Sequence, residues 1–314
     1  MTRAFTFPGQ GSQTPGMGKK LADAFVSARA VFEEVDDALG DHLSRLIFEG
    51  PEADLTLTQN AQPALMAVSV AVARTIENES GKPLAELGSF VAGHSLGEYS
   101  ALAAAGSFSL ADTARLLRLR GKAMQRAVPV GVGAMAALLG AEIAQAEEIS
   151  KEASTGNETC AVANDNAPGQ VVISGHKTAI ERAAEIAKTK GIKRAMMLPV
   201  SAPFHCPLMA PAAREMEEAL ANVTLMPPRL PLIANVTARP VSDPATIARQ
   251  LVEQVTGRVR WRETVETMPG LGVTTIVELG AGKVLTTMAK RIVKDVPGLS
   301  VETPEELEAF LKTL

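Results

Sequence analysis

The sequence predicts an α/β protein built on a mainly parallel sheet, with a smaller antiparallel subdomain inserted into it. Three observations predict this. Short apolar strands alternate with helical segments in both halves of the chain, and a β-α-β-β-α-β order occupies the middle. That middle stretch is bracketed by Pro129-Val130-Gly131 on one side and Pro199 on the other. With 314 residues, 46% of them apolar and 21% charged, the chain has ample material for a large core carrying an insertion.

Residues 3–7 read as a strand closed by Pro8-Gly9-Gln10-Gly11-Ser12, and 19–39 as a helix on the spacing of Leu21, Phe25, Phe32 and Val35. Leu65, Val68, Val72 and Ile76 place a helix over 61–77. An apolar strand at 89–94 runs straight into Ser95-Leu96-Gly97. Helices follow over 96–105 and 110–128, the second opened by Ser109 with Asp112 three residues on. From Gly133 the order is strand 134–139, helix 142–153, strands 159–163 and 171–174, helix 179–190 and strand 194–198, which is the ferredoxin-like pattern. A helix over 208–221, strands at 230–235 and 275–279, and a last helix after Gly280-Ala281-Gly282 return to the alternating rhythm. The predicted division is a core of 1–127 and 200–314 with an inserted subdomain of 128–199.

Composition narrows the function. The net charge is −4, with 31 basic and 35 acidic residues interspersed, so a nucleic-acid partner is not expected. The two cysteines, Cys160 and Cys206, have neither a CxxC nor a Cys/His ligand spacing, so no disulfide framework and no metal site is expected. No stretch has the length and apolarity of a signal peptide or a membrane span, and a soluble, cytoplasmic protein is the expectation.

Gly93-His94-Ser95-Leu96-Gly97 fits the G-x-S-x-G elbow, in which small flanking residues let a strand turn sharply into a helix and leave the serine exposed. The plainer alternative is a turn whose serine caps the helix. A serine hydroxyl needs a base within hydrogen-bond reach. Of the four histidines, His42 falls in a polar helix, His176 starts a helix of the insertion, and His94 lies inside the elbow with its ring directed away from Ser95. His205 stands in Ser201-Ala202-Pro203-Phe204-His205-Cys206-Pro207, a proline-bracketed loop that can aim a side chain, and is the candidate general base.

The helix after the elbow carries Arg115, Arg118, Lys122 and Arg126 on one face, whereas Arg120 falls among Leu116, Leu117, Ala123 and Met124. An arginine on the core-facing stripe keeps its charge and needs an anion. That anion is either a protein carboxylate or a substrate carboxylate held by two parallel hydrogen bonds.

Four segments in this order, Phe7-Pro8-Gly9-Gln10-Gly11-Ser12-Gln13, Gly93-His94-Ser95-Leu96-Gly97-Glu98-Tyr99, Arg120-Gly121-Lys122 and Pro199-Val200-Ser201-Ala202-Pro203-Phe204-His205, carry a resemblance over essentially the whole chain. So do Gln62-Pro63-Ala64-Leu65, Pro168-Gly169-Gln170-Val171-Val172-Ile173-Ser174-Gly175 and Val277-Glu278-Leu279-Gly280. The sequence resembles the malonyl-CoA:acyl carrier protein transacylases, the malonyltransferases of fatty acid synthesis. The resemblance implies an α/β-hydrolase-like core with the ferredoxin-like insertion and a cleft between them. It implies a malonyl ester on Ser95, His205 as its base, and an oxyanion hole from the backbone N–H groups of Gln10 and Leu96. Arg120, Phe204 and Gln62 become the substrate-binding set, with the bulk of Phe204 set against a 2-methyl group. The histidine would be oriented by a backbone carbonyl near Arg260-Trp261, giving a dyad. Malonyl-CoA and acyl carrier protein are the implied partners, with no cofactor; phosphopantetheine belongs to the acceptor.

A serine hydrolase would use the same elbow and histidine, with Asp165 as a conceivable acid, but Arg120 has no natural role toward a neutral ester. A nucleotide site is suggested by Gly131-Val132-Gly133-Ala134-Met135-Ala136 and by Gly280-Ala281-Gly282-Lys283, yet the first follows a helix and the second lacks P-loop spacing. Lys188, Lys190, Lys193 and Arg194 form a basic cluster suited to steering an acidic carrier.

Overall fold

The computed structural model describes residues 2–314. Two sheets organise it. Strands β1 (Arg3–Phe7), β2 (Phe90–Gly93), β7 (Leu232–Ile233), β8 (Pro240–Val241), β9 (Thr275–Leu279) and β10 (Gly298–Val301) form the larger sheet in the order β10-β9-β1-β2-β7-β8. Its first five members are parallel and β8 returns antiparallel to β7. All five residues of β1 are buried, as a central strand covered on both faces requires. Strands β3 (Gly133–Leu139), β4 (Cys160–Ala167), β5 (Gln170–His176) and β6 (Arg194–Met197) make a separate antiparallel sheet in the order β4-β5-β3-β6. Helices Ile143–Ala153 and Lys177–Thr189 cover one face of it, through a core that includes Ile149, Ile173, Ile180 and Ala183. A mixed α/β protein with a mainly parallel sheet and a second, antiparallel one is therefore present.

Helix Thr58–Ser80 runs through the main core and is longer than the predicted 61–77. Ala61, Ala64, Ala67 and Ala71 let its neighbours approach closely, among them helix Leu110–Arg126, whose cap Ser109 accepts from the Asp112 N–H at 3.0 Å as expected.

Four expectations need correction. The predicted helix over 19–39 is two, Lys19–Ala24 and Val26–Leu39, broken at the extended Phe25. The break re-phases two apolar stripes, Leu21 with Ala22 and Ala28, Val31, Phe32 with Val35, onto one core. His42 is not inside a helix but stands just before Leu43–Glu49, with no capping bond from its side chain. The strand expected over 159–163 continues to Ala167, with register shifts, because its polar Asp165 and Asn166 find partners in Arg262 and His94. The helix after Gly282, Val284–Ile292, is not the last: β10 and helix Pro304–Leu311 follow, and helices Pro244–Thr256 and Trp261–Gly270 precede β9.

The sheets are fastened where β4 meets the segment before helix Trp261–Gly270. Val259 donates to the Ala163 carbonyl and accepts from the Asp165 N–H, both at 2.9 Å. Asp165, 1% exposed, takes three contacts of 2.9–3.1 Å from Arg262. Among the described residues, no helix is long and apolar enough to cross a membrane.

Candidate active site

The elbow is built from close backbone approach. A Cβ on Gly93 would lie 1.9 Å from the Gly97 carbonyl, and one on Gly97 would lie 2.2 Å from the Phe7 oxygen, so both must be glycine for the turn to pack on β1. Ser95 sits in it at φ 53°, a left-handed conformation that a non-glycine residue keeps only when its surroundings impose it. The imposing groups are amides. Asn235 Oδ1 accepts from the Ser95 N–H at 2.8 Å, and Gln254 Nε2 donates to the Ser95 carbonyl at 2.9 Å. Ser95 does not cap helix Gly97–Ala104, whose cap position is Leu96.

The Ser95 hydroxyl instead meets His205 and Arg120. His205 Nε2 is 2.8 Å from Oγ, and its Nδ1 is 2.8 Å from the main-chain carbonyl of Gln254. A carbonyl only accepts, so the ring proton is on Nδ1 and the Nε2 lone pair faces the hydroxyl. Burial, with the charge of Arg120, pushes His205 down to about 3, which keeps the resting ring neutral with its Nε2 lone pair free. The orienting carbonyl lies farther from Arg260-Trp261 than expected, in the last turn of helix Pro244–Thr256, where a helix leaves carbonyls without an internal partner. Asp165, the conceivable acid of a triad, is engaged by Arg262 and not by His205.

Arg120 is 1% exposed, as its place on the helix predicts. Nη1 donates to Gln62 Oε1 at 2.9 Å; Nη2 donates to Gln254 Oε1 at 2.7 Å and to Ser95 Oγ at 3.1 Å. No carboxylate among the described residues is ion-paired with it, and its Nε has no partner. The other arginines of the same helix differ: Arg115 pairs with Asp112, Arg118 with Asp41 and Arg126 with Glu215.

Gln10, Leu96, Gln62, Phe204, Arg120, Ser95 and His205 all border one cleft of about 420 Å³. The backbone N–H groups of Gln10 and Leu96 donate to no acceptor among the described residues, while the Gln10 side chain reaches Thr58 Oγ1 at 3.3 Å. Met135, Asn164, Asn166 and Val172 of the antiparallel sheet form the opposite wall. All the predicted site residues thus converge.

The other histidines stand apart from the hydroxyl. His94 binds Asn166 Oδ1 through Nε2 at 2.8 Å, and His176 Nδ1 accepts from the Thr159 N–H at 2.9 Å. Gln254, Asn235 and Glu98 escaped the sequence reading, since an amide that holds a backbone has no motif of its own; only Glu98 stood within a quoted segment. Gly133 opens a strand, and the helix after Gly282 has its first N–H groups taken by Glu278, at 3.0 Å from Leu285 and 2.7 Å from Thr286, so neither glycine run offers a phosphate cradle. Among the described residues no three His, Cys, Asp or Glu side chains group as a metal site.

The basic cluster at the end of the insertion is weaker than predicted. Lys188 pairs with Glu185, and Lys190 with Glu148 and Glu152, leaving Lys193 and Arg194 without an acidic partner among the described residues.

Comparison with known proteins follows the same outline. Residues 4–304 match the family model described as acyl transferase domain. The malonyl CoA-acyl carrier protein transacylase of Bacillus subtilis (strain 168) is 43% identical over 311 residues, covering 99% of this chain and 96% of its own. The solved acyl-carrier-protein-S-malonyltransferase from Bartonella henselae superposes with a TM-score of 0.97 at 59% identity, over 100% of this chain and 99% of the other. A malonyl-transacylase solved in complex with its type II PKS acyl-carrier protein gives 0.96 at 42% identity, with 100% of each chain covered.

Proposed function

The chain belongs to the acyl transferase family, among the malonyl CoA-acyl carrier protein transacylases, and from that premise we propose that it moves malonyl groups from coenzyme A to the phosphopantetheine thiol of an acyl carrier protein. The observation that carries this is the buried guanidinium of Arg120, which no carboxylate contacts directly among the described residues and which has one nitrogen 3.1 Å from the Ser95 hydroxyl. A malonyl thioester bears its carboxylate one methylene beyond the carbonyl that a serine would attack. Arg120 then binds that carboxylate while Gln62 braces the guanidinium from its other side, and Phe204 closes the space where a 2-methyl group would go.

In the first half-reaction Ser95 Oγ attacks the thioester carbonyl as His205 Nε2 takes its proton. The carbonyl oxygen becomes an oxyanion facing the free N–H groups of Gln10 and Leu96, each worth about 10²–10³ in rate. The tetrahedral centre collapses, the C–S bond breaks, and coenzyme A leaves with the proton from His205. The second half-reaction runs the same steps backward with the carrier's thiol: it gives its proton to His205, attacks the ester carbonyl, and Ser95 departs with that proton. No step calls for a cofactor of the enzyme's own.

In this reading residues 1–127 and 200–314 form an α/β-hydrolase-like core, supported by the strand–elbow–helix between parallel strands. Residues 128–199 form a ferredoxin-like subdomain, supported by the sheet order β4-β5-β3-β6.

Mass spectrometry of protein mixed briefly with malonyl-CoA tests the proposal. One malonyl group is expected on the Ser95 peptide, leaving faster with a holo carrier protein than with water alone. Label on another residue, or release at the same rate with and without carrier, would replace the transferase with a hydrolase or another site.

A further inference from the structure

The groups that hold the nucleophile and those that hold the cation share one buried carboxylate. Glu98, in the first turn of helix Gly97–Ala104, is 1% exposed. Its Oε1 accepts from the Asn235 backbone N–H at 3.1 Å and its Oε2 accepts from Gln254 Nε2. Both oxygens therefore meet N–H donors, an arrangement suited to a carboxylate, because the O–H of a protonated acid would find no acceptor there. Burial raises Glu98 to about 7, opposed by the Asn235 and Gln254 hydrogen bonds and by the charge of Arg120.

Gln254 is where this carboxylate reaches the reaction. A side-chain amide has two N–H donors and one carbonyl acceptor. Nε2 donates to Glu98 and to the Ser95 carbonyl, so Oε1 must face the other way, where it accepts from Arg120 Nη2 at 2.7 Å. The geometry points to Glu98 as a positioning residue for acyl selectivity: its carboxylate locks the Gln254 amide so that Arg120 is aimed at the malonyl carboxylate. This rests on the role of Arg120 given above.

A glutamine at position 98 would turn an NH2 group toward one of those two N–H donors. The Gln254 amide would be released to turn over and would present its own NH2 to the guanidinium; donor would meet donor, and Arg120 would leave its place. His205 keeps its own orientation, because it is held by the main chain of Gln254, but Ser95 loses the amide that braces its carbonyl, so part of the loss is common to every acyl group.

The loading half-reaction of Glu98→Gln should be measured with malonyl-CoA and with acetyl-CoA, which has no carboxylate. Both substrates should slow, because the turned amide also drops its bond to the Ser95 carbonyl, and we expect the malonyl-to-acetyl ratio of kcat/KM to fall about tenfold or more. Gln254→Met keeps the main-chain carbonyl and much of the volume, should lower the malonyl-to-acetyl ratio likewise, and decides the matter should Glu98→Gln not fold. Equal losses for the two substrates, or an unchanged ratio, would overturn the inference. Arg120→Ala run in parallel separates the two levels. If it leaves the ratio intact, the role of Arg120 itself is wrong. If it collapses the ratio while the Glu98 and Gln254 variants do not, only the role of Glu98 is wrong.

Discussion

The two sheets meet at one cleft and bring different chemistry to it. The parallel sheet ends its strands β1 and β2 at the Gln10 loop and at Ser95, and the elements around it deliver Arg120, His205, Glu98 and Gln254. The antiparallel sheet presents Met135, Val172 and the amides of Asn164 and Asn166, with no charged group on the cleft. In the proposed reaction bond making falls to one region, and the other offers a neutral wall to the parts of the thioester that do not react. Phe204 packs against the main core and against Met135, Ala163 and Val172 of the antiparallel sheet, so in the proposed reaction the two regions meet at it around the acyl group.

Substitutions should separate the regions, and the largest effects belong to the reacting pair. Ser95→Ala is expected to take up no malonyl. His205→Ala should slow loading and transfer alike, by about 10²–10⁴. Single-turnover measurement of each half-reaction checks this, and slowing of only one would remove the shared base.

Arg120→Ala comes next. A carboxylate left desolvated and unpaired in the cleft is penalised by about 2–5 kcal/mol, which lowers malonyl transfer roughly 30-fold to several thousand-fold. Acetyl transfer should change little, and Arg120→Lys should recover only part of the malonyl rate, since a point charge does not reproduce two parallel hydrogen bonds. A parallel loss with both substrates, accompanied by a lower Tm, would make Arg120 a stability residue and blur the division between the regions.

The seam between the sheets should answer differently. Asp165→Ala strands Arg262 and should lower stability by about 1–3 kcal/mol, seen in thermal or denaturant unfolding, while the folded protein still loads Ser95 at close to its usual rate. A loading defect without a stability change would bring the seam into the chemistry. The smallest effect is expected at the far end of the antiparallel sheet. Lys193→Glu with Arg194→Glu should weaken the carrier half-reaction about three- to tenfold at low salt and spare the coenzyme A half. Equal loss in both halves would take that surface out of consideration.

What the sequence revealed follows this same division. Ser95, Arg120 and His205 were legible because each breaks a local rule: a serine between elbow glycines, an arginine on an apolar stripe, a histidine between prolines. The β-α-β-β-α-β order was legible because period-2 and period-3.6 patterns alternate cleanly there. Asn164, Asp165 and Asn166 read as loop residues, since local propensity carries no word of the Arg262 and Val259 that meet Asp165 or the His94 that meets Asn166 from far along the chain. Strand β7 shrank to two residues for a related reason: Asn235, read as its last residue, serves the elbow instead of the ladder. Gly298–Val301 was missed because four residues give too short a pattern to register.

The brace between Gln254 and the Ser95 carbonyl spans 159 positions of the chain. At about 5–20 residues added per second during synthesis, roughly 8 to 32 s pass between the appearance of Ser95 and that of its brace. Within that interval Arg120 and His205, 25 and 110 positions after Ser95, are already made, but the carbonyl that orients His205 and the amide that braces the serine are not. In the proposed reaction the elbow is therefore set by a segment far down the chain, and its nucleophile waits on residues made long after it.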